Sequence, residues 1–116
     1  MRLALIAALL ALALPTVAAA ATQRFAGGTD QGLSVTFEVA SKKVRHFKAK
    51  VECTGHRVQT FSYPTMRLSR TGRFSVHQAG PSIDGRVKGS HARGTLTLPG
   101  CDASANEVAF IANGER

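Results

Sequence analysis

Between Ser82 and Leu98, small or apolar residues alternate with polar ones on both sides of Gly89-Ser90. A Gly-X pair between two alternating runs is the signal of a two-residue hairpin turn. Closing that turn at Lys88 and His91 sets Val87 opposite Ala92, Gly85 opposite Gly94 and Ile83 opposite Leu96 on one face. The other face carries Lys88 with His91, Arg86 with Arg93, Asp84 with Thr95 and Ser82 with Thr97. A slip of one residue would turn the apolar set to solvent, so the register is well specified.

The same period recurs along the chain. Residues 33–39 (Leu-Ser-Val-Thr-Phe-Glu-Val) alternate cleanly and predict a strand. Ser41-Lys42 predicts a turn, and 44–53 a second long strand. Phe47, Ala49, Val51 and Cys53 share one face of it; His46, Lys48, Lys50 and Glu52 share the other. A two-residue turn pairs Val39 with Val44, whereas joining the apolar faces needs Phe37 opposite Phe47. Those registers differ by one, and a β-bulge near Arg45-His46 reconciles them. Arg24 to Ala26 reads as a short edge strand, and 27–32, with three glycines, as a turn-rich link. Turns are expected at 54–56 and 70–73, and short strands at 59–63, 66–69 and 74–77. After a loop at 102–106, the continuous apolar run 107–112 predicts a central strand buried on both faces, followed by a tail. The expected core is Val35, Phe37, Phe47, Val51, Ile83, Val87, Leu96 and Phe110. No segment beyond residue 21 keeps a helical period over eleven residues. The fold class is therefore all-β, an antiparallel β-sandwich or small barrel.

Residues 1–21 read differently. Arg2 precedes an apolar run at 3–14, Pro15 ends it, and small residues offer cleavage near Ala20 or Ala21. That is the pattern of a secretory signal peptide, and the run falls short of the ~20 apolar residues of a membrane span. The expectation is a single domain at 22–116, exported to the periplasm or the exterior. A small exported domain gains from a covalent staple. Cys53 and Cys101 are the only cysteines, and an even count in an exported chain predicts their disulfide. The rival reading, metal ligation or a reactive thiol, lacks the CxxC spacing that would support it.

Fifteen Lys and Arg against seven Asp and Glu give a net charge of +8, or +7 without Arg2. Such a balance suits acidic partners, and it also serves solubility. It matters most in the first hairpin, where Arg86, Lys88, His91 and Arg93 share one face as a candidate anion-binding set. Like charges facing across a ladder repel, and the planar fork of Arg suits phosphate. The four histidines lack the i, i+2 or i, i+4 spacing of a metal site, so no metal or cofactor is assigned. The acids are scattered and no serine sits in a Gly-x-Ser-x-Gly elbow, so no catalytic residue is assigned. With no Trp, and with Phe37, Phe47, Phe74 and Phe110 assigned to the interior, recognition by stacking is disfavoured. The resulting expectation is a non-enzymatic envelope or extracellular interaction module. Its partners would be an anionic envelope polymer, a lipid headgroup or an acidic protein. The alternatives are a small secreted hydrolase, nuclease or metal-dependent enzyme, with His91 beside Arg86 and Arg93, and a protease inhibitor presenting a rigid loop at 55–59 beside Cys53.

The order of several pieces also resembles a family of small secreted bacterial β-domains without an assigned activity. They are Gly28-Thr29-Asp30-Gln31-Gly32 before a strand, Val44-x-x-Phe47, Cys53 followed by a turn, and Gly72-Arg73-Phe74-Ser75. Ile83-Asp84-Gly85-Arg86-Val87-Lys88-Gly89, Ala92-Arg93-Gly94-Thr95-Leu96 and Cys101-Asp102 complete the set. The resemblance spans nearly all of 22–116 and implies a disulfide-linked β-rich domain, with no catalytic residues. The histidines and the short segment between Cys53 and Phe74 depart from the pattern.

Overall fold

The computed structural model describes residues 21–77, 81–98, 101 and 107–115. Residues 1–20 of the expected signal peptide and the loop at 102–106 lie outside the described residues. Among the described residues, nine strands form one antiparallel sheet: β1 (Gln23–Thr29), β2 (Ser34–Ala40), β3 (Lys43–Cys53), β4 (Arg57–Tyr63), β5 (Met66–Arg67), β6 (Arg73–Val76), β7 (Ser82–Lys88), β8 (His91–Thr97) and β9 (Glu107–Gly114). Their order is β4-β3-β2-β1-β9-β8-β7-β6, with β5 pairing the start of β3. The chain winds outward from β1 to one edge, crosses through β5, and winds back from the other edge to β9. The two meanders join where β1 pairs β9.

The sheet curls into a half-barrel because β2, β3, β8 and β9 each have one apolar face and those faces must meet. Phe37 on β2 stacks between Phe25 on β1, at 4.8 Å, and Phe47 on β3, at 5.2 Å. Rings from the far meander close on the same cluster: Phe110 lies 5.4 Å from Phe47, and Phe74 lies 5.9 Å from Phe37. The Tyr63 hydroxyl, at the end of β4, donates to the Ser82 carbonyl on β7 at 3.3 Å. Burial pushes the Tyr63 phenol up to about 12, because the charged phenolate would lose its water. Gly94 on β8 makes room for both neighbouring strands: a Cβ there would clash with the Asp84 carbonyl on β7 and lie 2.8 Å from the Phe110 ring on β9.

The hairpin read first in the sequence is β7–β8, and every expected pair is present, from Lys88 with His91 to Ser82 with Thr97. Gly89 takes φ 63, as the first position of a two-residue turn requires. Ser41 and Lys42 form the β2–β3 turn at φ 50 and 63. The bulge is also there: Thr36 faces Lys48 while Glu38 faces Arg45, and His46 stands at φ 55. That extra residue lets Val44 and Phe47 both point inward. The disulfide joins Cys53, at the end of β3, to Cys101, between β8 and β9. It ties the two meanders together at one end of the half-barrel, where Thr54 donates its backbone N–H to the Cys101 carbonyl at 2.9 Å.

Several expectations are corrected. β1 is a central strand rather than an edge, and it runs on through Gly27 and Gly28 to Thr29. Gly27 faces the β9 backbone so closely that a Cβ would clash with the Ile111 carbonyl. β9 is central but alternates, burying Val108, Phe110 and Ala112 while Ile111 is 64% exposed. It is therefore buried on one face only, and it includes Asn113 and Gly114 of the expected tail. Of the expected core, Val87 is only half-buried; Phe25 and Tyr63, left unassigned by the sequence, belong to it. The segment 55–59 is not a loop: Arg57 to Gln59 pair with β3, leaving a tight turn at 54–56.

Candidate anion-binding face on the outer sheet

The curl sends alternate residues of β6, β7, β8 and β9 outward. Arg86 pairs with Arg93, as the sequence predicts, and also with Arg73 on β6. Three arginines on consecutive strands thus stand at one register, all exposed. Ile111 continues the row on β9. Lys88 and His91 form the next row toward the turn, where His91 Nδ1 lies 2.9 Å from Asn113 Oδ1. On the other side, Ser75, Asp84, Thr95 and Ala109 form a row of their own. The arginine row with Ile111, and the row of Ser75, Asp84, Thr95 and Ala109, border a hollow of about 630 Å³.

Like charges across neighbouring strands cost stability unless something neutralises them. Acids do so elsewhere on the sheet: Glu38 reaches Arg24 at 3.9 Å and Arg45 at 3.7 Å. Among the described residues, none does so for Arg73, Arg86, Lys88 or Arg93. Asp84, two residues from Arg86 on the same face, lies 3.1 Å from His77 Nε2. The face therefore offers three forked donors and an ammonium to solvent, with their charge unspent.

The structure brings together the four residues singled out by the sequence, Arg86, Lys88, His91 and Arg93, around two adjoining hollows. Arg73 is the member that sequence reasoning misses. The 70–73 segment reads as a turn, yet Arg73 is in phase with Ser75, which faces outward on the same strand. The remaining histidines are apart from this face or at its rim. His56 contacts Glu52 at 2.9 Å beside the 54–56 turn, and His46 occupies the bulge. Ser75, His77 and Asp84 lie near one another, and the histidine–aspartate contact is made on open surface. Among the described residues, no three His, Cys, Asp or Glu side chains gather as a metal site.

Comparison of the chain with protein-family models, with curated proteins and with solved structures finds no match.

Proposed function

We propose that the protein is an exported, non-enzymatic interaction domain that binds anionic groups through the outer face of β6–β8. The observation that carries this reading is the register-matched row of Arg73, Arg86 and Arg93, exposed and without an acidic partner among the described residues. A fold that holds three guanidinium groups side by side bears their repulsion continuously. An anion removes that cost and gains charge-assisted, forked hydrogen bonds from the same groups. Export is supported by the apolar leader pattern at 1–21 and agrees with the disulfide.

The test is elution from an immobilised polyanion in a salt gradient. Arg86→Ser/Arg93→Ser should elute much earlier than the parent protein. Lys43→Ser/Lys50→Ser removes the same charge from exposed positions on β3 and should shift elution less. Equal shifts would mean that net charge alone governs retention, and the β6–β8 site would be abandoned.

A further inference from the structure

We infer that this face takes a linear chain of repeated phosphate groups laid across the strands, in preference to one isolated anion. The inference rests on the anion-binding reading above. Three hollows adjoin along the face. The central one shares Arg73 with a hollow of about 420 Å³ beside Arg67 and Ser69. It shares Arg86, Arg93 and Ile111 with another of about 380 Å³ beside Lys88 and His91. The cations thus follow one another across the strands from Arg67 through Arg73 and Arg86 to Arg93, with Lys88 in the next row on the strand of Arg86. Neighbouring strands lie ~4.8 Å apart, so the three matched arginines alone span about 10 Å. A single phosphate satisfies one or two guanidinium forks, whereas a row calls for charges spaced along a chain.

The same face argues for phosphate without bases or sugars to stack. The outward residues on β6–β9 include serine, threonine, alanine and one isoleucine, while the phenylalanines of these strands, Phe74 and Phe110, point into the core. Single-stranded nucleic acid draws ~1–3 kcal/mol per base from aromatic platforms; Phe74 and Phe110 border the central hollow but are each 2% exposed, so among the described residues they present no ring for a base to stack on. Recognition would therefore run through charge and spacing.

Binding of the purified protein to orthophosphate, tripolyphosphate and long-chain polyphosphate provides the test. Anionic phospholipid vesicles and a single-stranded oligonucleotide serve as comparison arms at matched charge. Long-chain polyphosphate should bind roughly a hundredfold tighter per phosphate than tripolyphosphate, as linked contacts predict. Its log–log salt slope should be about −2 to −3, the value for three or four engaged cations at ~0.7 each. Arg73→Ser should reduce that slope by about 0.7, and Lys43→Ser should leave it unchanged. Equal affinity per phosphate for the short and long chains, both weakened by Arg86→Ser/Arg93→Ser, would overturn the linear chain and leave the anion-binding reading standing. Tighter binding to vesicles or oligonucleotide than to polyphosphate would overturn it in favour of those surfaces. If no probe separates the arginine variants from the β3 control, both readings fall.

Discussion

Replacing Phe37 by alanine tests the packing argument at its centre. The side chain is 2% exposed and stacks between Phe25 and Phe47, with Phe74 closing over it from the opposite meander. An emptied Phe site costs about 3–5 kcal/mol in general. Each aromatic pair adds ~0.5–1.5 kcal/mol beyond area burial. Three ring neighbours are lost together, so the expected cost lies at the upper end, about 5 kcal/mol. A domain of this length holds roughly 5–14 kcal/mol in total, so the variant should be close to unfolded at room temperature or melt ~20 °C or more lower. Ser34, on the solvent face of the same strand, is exposed, and Ser34→Ala should stay within ~0.5 kcal/mol. Urea unfolding followed by circular dichroism measures both, with the midpoint read at constant slope. A Phe37→Ala cost below about 2 kcal/mol, or equal costs for the two variants, would refute the assignment of the curled interior as the source of stability.

Two further predictions follow from contacts that cross between the meanders. Removing the disulfide with Cys53→Ala/Cys101→Ala should cost about 2–4 kcal/mol, the usual scale for such a closed loop; peptide mapping without reductant should recover the two cysteine peptides joined, and separate peptides would contradict the pairing. Tyr63 is the only tyrosine and there is no tryptophan, so tyrosinate absorbance reports this one group. The folded protein should titrate near 12 and the denatured protein near 10. Between those values the unfolded chain has released the proton and the folded chain has kept it, so stability should be full below pH 10 and fall as pH rises toward 12. A folded-state midpoint at 10 would show that the phenol is solvated and that the Tyr63–Ser82 contact does not close the curl.

What the sequence made legible was local. The β7–β8 register depends on a two-residue turn and a two-residue period, and both are written within the segment 82–98. The bulge at His46 was legible for a related reason: Val44 and Phe47 are out of phase, and only an extra residue lets both face the core. Non-local pairing was hidden. β1 looked like an edge because its glycines resemble punctuation, yet Gly27 serves a close approach to β9, at the far end of the chain. β9 looked doubly buried because Ile111 is apolar, and nothing local says that it closes a row of arginines instead.

The candidate site divides along the same line. Arg86 opposite Arg93 follows from one tight turn, so this half of the charge conflict is legible in the amino-acid sequence alone. Arg73 joins them through the β6–β7 pairing, across the longer connection 77–81, whose Gly80-Pro81 marks a turn but fixes no register as a two-residue turn does. That difference bears on what the row does. A single facing pair of arginines can splay into solvent at little cost. The middle arginine of three has like charge on both flanks, so Arg86 cannot relieve one contact by leaning away without approaching the other. The burden therefore concentrates on Arg86, and its replacement by serine should raise stability slightly at low salt in the free protein. The gain should vanish at high salt, where the repulsion is already screened. Losing stability at low salt on Arg86→Ser would mean that the row is held together by contacts other than those described, and the argument for an unspent charge would fail with it.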